Sequence, residues 1–300
     1  MTQLTPNIHP NSHLTVQAFY DDDTSTLSYV VYDTVSLDAI VIDPVLNYEP
    51  ASSTYSTQSI DTLYDFIAPL QLRIHYILET HAHADHLSGS QFLKKRIPSA
   101  NIAIGDNIRL VQTQFSHVFN MKSFNENGIQ FDQLLMDNST ITAGTISIKI
   151  MFTPGHTPAC SSYIINDEAV FTGDVLFMHD YGTGRCDFPG GSSEALYQSV
   201  TNRLYTLPDD MIVYVGHDYR PGGRDVQYQS TIGDQRQKNP QLNEKTTKEE
   251  FIEMRDSRDR TLTSPRLLLQ SLQVNIDAGH LPKPEDNHTS YLKIPIKPAK

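Results

Sequence analysis

The run Thr80-His81-Ala82-His83-Ala84-Asp85-His86 constrains this chain more than any other feature. It follows the short apolar segment 74–78, which reads as a strand. Four side chains of metal-ligand type, His81, His83, Asp85 and His86, fall within six residues. A tight loop at a strand end aims such groups into one small volume, where imidazole and carboxylate suit a first-row divalent cation. A single histidine there would read as part of a solvated turn. Four together are costly to leave without partners.

Three more polar residues follow segments that read as strands. His156 lies in Thr153-Pro154-Gly155-His156-Thr157 after 146–152, where Ile146, Ile148 and Ile150 alternate with Ser147 and Lys149. Asp174 lies in Phe171-Thr172-Gly173-Asp174 after 169–172, and His217 in Gly216-His217-Asp218-Tyr219 after 211–215. Strands are also expected at 27–32 and 39–42. Between them, Ile60, Leu63, Tyr64 and Ile67 have helical spacing, with Ser59 expected as N-cap and Pro69 as stop. Further helices are expected at 88–96, around Leu196, Val200 and Leu204 with Ser192 as cap, and at 261–272. Strands alternating with helices predict a layered α/β domain. Residues 220–300 are expected to form a C-terminal extension wrapping a single 1–300 domain, with 233–260 rich in charge and amide and the end, which holds Pro282, Pro284, Pro295 and Pro298, running over the surface as loops.

The chain has 300 residues, a formal charge of -12 and no basic stripe, so a nucleic-acid partner and an anionic membrane surface are both disfavoured. No apolar run approaches the length of a membrane span. Two cysteines, Cys160 and Cys186, make no disulfide framework, and the polar N-terminus lacks the pattern of a targeting segment. The expectation is a cytoplasmic protein, with a homo-oligomer left open.

His-x-His-x-Asp-His, Pro-Gly-His-Thr, Thr-Gly-Asp and Gly-His, in this order, resemble the metallo-β-lactamase superfamily over about 15–219. The resemblance implies an αββα sandwich with metal at one edge of the two sheets. It implies a first metal site at His81, His83 and His156, a second at Asp85, His86 and His217, and Asp174 bridging. The flanks 184–191 (Gly-Arg-Cys-Asp-Phe-Pro-Gly-Gly) and Asp218-Tyr219 look like persulfide dioxygenases, as do 230–233 and Asn239-Pro240. Glyoxalase II hydrolases are similar, but typically carry an aromatic–acidic pair after the Gly-Arg and Glu-Tyr after the last His. The segments 273–282 and 291–295 resemble a longer bacterial branch often called β-lactamase-like hydrolases.

For the dioxygenases, the family pattern implies one Fe(II) per chain, held by His81, His156 and Asp174 as the catalytic centre. Two imidazoles and a carboxylate form the ligand set of a non-haem Fe(II) oxygenase. His83, Asp85, His86 and His217 would then orient ligands or serve a second metal. The reaction implied is glutathione persulfide plus O2 and water giving sulfite and glutathione, in sulfide detoxification. Arg185 is the first expected substrate contact, with an ion pair to Asp187 as its competing role, and Tyr219 and Arg236 are further expected contacts. Cys186 is expected to be a packed residue. The alternative activity is a glyoxalase II-type thioester hydrolase with a dinuclear site. A metal-loaded sulfane-sulfur carrier without turnover is a third reading.

Overall fold

Residues 1–9, 12–296 and 298 are described by the computed structural model. An eight-stranded sheet orders Thr2–Gln3, Leu14–Asp21, Thr26–Asp33, Asp38–Ile42, Arg73–Glu79, Asn101–Gly105 and Gln133–Leu135, with Asn7–Ile8 paired onto Leu14–Asp21. A six-stranded sheet orders Thr140–Ala143, Ile146–Phe152, Ser161–Ile165, Ala169–Phe171, Ile212–Tyr214 and Gln229–Thr231. Alternation along the strands sorts their side chains into two cores. In the first sheet Ile40, Ile42 and Leu78 face the second sheet, whereas Ala39, Val41 and Ile77 face helices. Both faces are buried, so these strands read as near-continuous apolar runs.

Helices α1 (Gln58–Ile67), α2 (Ser90–Arg96) and α3 (Ile108–Val118) supply Ile60, Leu63, Leu93, Ile108, Val111 and Phe115 to the outer core of the first sheet. Helices α4 (Ser193–Asn202), α5 (Ile232–Lys238) and α6 (Lys248–Asp259) supply Leu196, Val200, Ile232 and Phe251 to the core of the second. Helix α7 (Leu268–Asn275) returns to the first side through Leu272. The result is the expected αββα sandwich.

Strand direction gathers the site. Asp38–Ile42 and Arg73–Glu79 are parallel, so their C-terminal ends share an edge. Ile146–Phe152 and Ala169–Phe171 are both antiparallel to Ser161–Ile165, and Ala169–Phe171 is parallel to Ile212–Tyr214. Three more chain ends therefore leave the second sheet together. The sheets are stitched at that edge by Leu27 N–H to the Gly216 carbonyl (2.8 Å), Ser161 N–H to the Thr80 carbonyl (2.9 Å) and Tyr163 O–H to the Glu79 carbonyl (2.6 Å).

Several local expectations need correction. The N-cap of α1 is Thr57, and Ser59 lies inside the helix, where its N–H donates to Asn47 Oδ1. Leu87–Ser88 is a strand paired with Val45–Leu46, so α2 begins only at Ser90. The helix expected over 261–272 starts at Leu268, beyond Pro265, which breaks the earlier turn. The extension also holds two helices that the sequence did not announce, α5 and α6, and the edge strand Gln229–Thr231, while its proline-rich end, 280–296, lacks regular structure. Ser192 does cap α4, accepting from Ala195 N–H. Among the described residues, no helix is long and apolar enough to cross a membrane.

Candidate metal centre

The loop after Arg73–Glu79 is pinned before it delivers its histidines. Asp43, just past the parallel strand, accepts from Thr80 N–H (2.7 Å) and Thr80 O–H (2.8 Å). Gly173 sits beside it at φ +51°, where a methyl would lie 2.6 Å from Thr80 Oγ1. Only glycine lets the Asp174 loop close onto the histidine loop there.

His81, His156 and Asp174 then converge, their donor atoms all within 4.8 Å of one another. His81 Nε2 is 3.8 Å and His156 Nε2 3.5 Å from Asp174 Oδ2. His156 Nδ1 is 2.6 Å from the Arg185 carbonyl. A carbonyl only accepts, so Nδ1 carries the proton and the Nε2 lone pair is left for a cation. Burial and the neighbouring His83 hold His81 well below the usual imidazole range, in the neutral form that ligates. Burial opposes ionisation of Asp174, but His217, His81 and His156 outweigh it and hold the carboxyl well below its usual range.

A second group, His83, Asp85 and His86, also lies within 4.8 Å. His217 stands between the groups, its Nε2 3.2 Å from Asp85 Oδ2 and 3.3 Å from Asp174 Oδ1. Burial would strip its proton, but Asp174 and Asp85 push its pKa up to about 9. Behind His83 stand two buried acids that the sequence reading did not single out. Asp43 Oδ1 is 3.1 Å and Glu79 Oε2 3.6 Å from His83 Nε2. Glu79 directly precedes the histidine run and Asp43 follows a strand, a position that already marked the other site residues.

The buried atoms test whether these residues suit a metal. His81 Nε2, both nitrogens of His83 and His217, Asp85 Oδ2, His86 Nε2 and Asp174 Oδ1 have no hydrogen-bond partner. Carboxylates approach some of them within ion-pair distance but without hydrogen-bond alignment. Each unpartnered buried group costs about 1–3 kcal/mol. So many in one cluster fit a divalent cation, and the donor set suits it.

A cleft of about 340 Å3 opens onto this centre, lined by Asp85, His156, Asp174, Arg185 and Tyr219 among others. An aromatic wall climbs from it. His217 stacks on Tyr219 (5.5 Å, 13°), Tyr219 meets Tyr181 (4.9 Å), and the Arg258 guanidinium lies 5.8 Å over the Tyr181 ring. Arg185 is on the cleft, but its fork grips Asp187 (2.5 and 2.6 Å) and donates to the Thr263 carbonyl (2.8 Å). The competing ion-pair role is thus the one the geometry displays. Arg236 is not brought to the cleft: its guanidinium pairs with Asp209 and bonds the Tyr205 carbonyl. Cys186 is buried in the core, and burial with the nearby Asp259 raises its thiol pKa, so it is packed and not primed as a nucleophile. The cleft cations that form no ion pair among the described residues are Arg258 and Arg266, both in the extension.

Comparison with known proteins agrees with this geometry. The model of the metallo-beta-lactamase superfamily matches residues 21–217. A probable metallo-hydrolase of Burkholderia pseudomallei is 46% identical, over 94% of this chain and 99% of its own length. Human mitochondrial persulfide dioxygenase ETHE1 is 31% identical over 84% of each chain. The crystal structure of ETHE1 from Myxococcus xanthus superposes with a TM-score of 0.72 at 28% identity, covering 88% of this chain and 99% of that one. The chain therefore belongs to the metallo-beta-lactamase superfamily.

Proposed function

We propose that this protein is a persulfide dioxygenase that uses one Fe(II), held by His81, His156 and Asp174, to convert glutathione persulfide, O2 and water into sulfite and glutathione. The observation that carries this reading is the two-histidine, one-carboxylate set facing a cleft. The likeness to human persulfide dioxygenase ETHE1 and to the ETHE1 of Myxococcus xanthus supports it. Bound Fe(II) supplies the redox chemistry that O2 demands and that zinc lacks. The protein's own residues do the rest. The Arg185 carbonyl fixes the His156 tautomer, and Thr80 Oγ1, 3.0 Å from His81 Nδ1, braces the other imidazole. The wall of Tyr219 and Tyr181 offers an apolar face for the thiol carrier. Arg258 and Arg266 offer cations for its two carboxylates.

Two buried free cysteines fit the reducing cytoplasm in which we place the reaction. The test is an oxygen electrode on iron-loaded protein. Glutathione persulfide should drive O2 uptake with sulfite release, and lactoylglutathione should be hydrolysed poorly.

The second donor group, His83, Asp85 and His86, favours a rival reading, a dinuclear thioester hydrolase. The metallo-hydrolase name of the Burkholderia relative points the same way. Metal analysis separates the two, since the dioxygenase should hold about one iron per chain. Two tightly bound zinc ions with efficient thioester hydrolysis and no O2 uptake would establish the rival.

Substrate selectivity gives a separate expectation. Arg258 and Arg266 are exposed, so each contact is worth about 1–1.4 kcal/mol, less than a buried one. Arg258→Ala and Arg266→Ala should each lower kcat/KM for glutathione persulfide by about 5- to 10-fold. Iron content should hold, and a persulfide without carboxylates should react as before. Equal losses on both substrates would show that these arginines do not read carboxylates.

A further inference from the structure

Loop 183–187 passes directly over the two ligands that hold the cleft side of the centre. Its Gly184 crosses the Asp174 carbonyl so closely that an added methyl would lie 1.9 Å from that oxygen and 3.4 Å from His156 Nδ1. The next residue, Arg185, gives the carbonyl that receives His156 Nδ1–H. The position of this loop therefore sets the orientation and tautomer of His156.

The loop's own anchors come from the C-terminal extension. Cys186 N–H donates to Asp259 Oδ2 (2.7 Å), at the end of α6. Arg255, one turn earlier, grips the other oxygen of Asp259 through Nε (2.9 Å) and Nη2 (2.5 Å). The same guanidinium reaches the Thr183 carbonyl (3.4 Å) and Gln241 Oε1 (3.0 Å), and Gln241 Oε1 also accepts from Thr183 N–H (3.0 Å). Arg255 is 2% and Asp259 6% exposed. A fully buried arginine on a helix otherwise rich in charge has a large desolvation cost. Its hydrogen bonds run to its ion-pair partner Asp259, to the Thr183 carbonyl, and to Gln241, which itself holds Thr183.

We propose that Arg255 and Asp259 are positioning residues for the metal centre, through which α6 holds loop 183–187 and so fixes His156 with Nε2 toward the cation. The proposal rests on His156 being a ligand, and not on which reaction follows. Neither residue belongs to the donor set, and Arg255, which borders the cleft, has its guanidinium taken up by Asp259, Gln241 and the Thr183 carbonyl. Asp259 holds the Cys186 amide, that amide sets the adjoining Arg185 carbonyl, and the carbonyl holds the His156 ring. The extension is thus part of the site and not a wrapper around it.

The test uses the full chain in two measurements. Co(II) and Fe(II) affinities are taken anaerobically by competition with a chromophoric chelator. The tautomer of His156 is read in metal-free protein from histidine ring 15N shifts. Asp259→Ala should weaken metal binding by about 10- to 100-fold and abolish the pure Nδ1–H signature of His156. Asp259→Asn keeps an oxygen for the Cys186 N–H and should lose only about threefold, which also serves if the alanine variant does not fold.

A control for stability alone is Asp38→Asn. Asp38 begins the strand whose other end leads to Asp43, and it holds His75 and Thr145 far from the centre. This variant should lower the melting temperature and leave affinity and tautomer unchanged. Wild-type affinity and an intact tautomer in Asp259→Ala would overturn the proposal. Losses in Asp38→Asn equal to those in Asp259→Ala would also overturn it, because they would reduce the effect to general stability. His156→Ala separates the two levels. If it binds metal like wild type, the metal-centre reading itself fails. If it loses metal while Asp259→Ala does not, only the positioning role fails.

Discussion

Asp174→Ala is expected to reduce bound iron from about one per chain to less than a tenth, and to lower persulfide-dependent O2 uptake at least about 1,000-fold. Asp174 is the carboxylate that faces both His81 Nε2 and His156 Nε2, at 3.8 and 3.5 Å. Two neutral imidazoles alone bind Fe(II) weakly and leave its charge uncompensated. The second donor group is a poor substitute, because the burial of His83 is outweighed by Asp43 and Glu79, which raise its pKa well above the usual imidazole range and favour the protonated ring that does not ligate. Asp174→Asn tests the charge by itself: it preserves shape and one neutral oxygen, and should retain some metal at high concentration with little turnover. Far-UV circular dichroism should be unchanged in both, since the αββα core does not involve this side chain. Metal analysis after anaerobic loading and desalting gives the answer. An alanine variant that keeps stoichiometric iron would remove His81, His156 and Asp174 as the ligand set.

The centre was legible because its signal is local and chemically dense. Four ligand-type residues in 81–86 have no cheap structural explanation, and each remaining donor residue follows a strand whose alternation or apolar run is readable. Ile146, Ile148 and Ile150 are buried while Ser147 and Lys149 are exposed, as a half-buried strand requires. What escaped the sequence is non-local. Arg236 looked available because its partner Asp209 lies 27 residues away. Arg185 looked like a substrate grip, and the Asp187 beside it was the warning that the structure bears out as geometry.

Helix α6 escaped for a more interesting reason. Its sequence, Lys-Glu-Glu-Phe-Ile-Glu-Met-Arg-Asp-Ser-Arg-Asp, buries Phe251 together with Arg255 and Asp259. The inward face is half ionic, so apolar periodicity is missing where the helix does its packing. The capping box of Thr247 and Glu250 was the signal available. A helix that hides an ion pair against a ligand-bearing loop reads, from sequence, as solvated charge.

Gly184→Ala should have the second largest effect, because this one methyl meets backbone and not a movable side chain. At 1.9 Å from the Asp174 carbonyl oxygen it is far inside van der Waals contact, so the backbone must shift by more than an ångström. The loop cannot lift freely. It is tied to Gln241, Asp259 and the Thr263 carbonyl, and the shift must either break those bonds or drag Asp174. Either route moves a ligand: Asp174 directly, or His156 through the Arg185 carbonyl. Overpacking of this kind costs about 1–3 kcal/mol. Metal affinity should fall by about 100-fold, the upper end for loss of ligand support. Gly222→Ala is the matched control. It sits at φ +70° with nothing within 4 Å of the added methyl, so it carries only the left-handed backbone penalty, about 1 kcal/mol. Urea midpoints and chelator competition on the two variants separate the effects. Both should lose stability, and only Gly184→Ala should lose metal. If Gly184→Ala binds iron as wild type does, the loop tolerates displacement, and its contacts with Asp174 and His156 do not govern the centre.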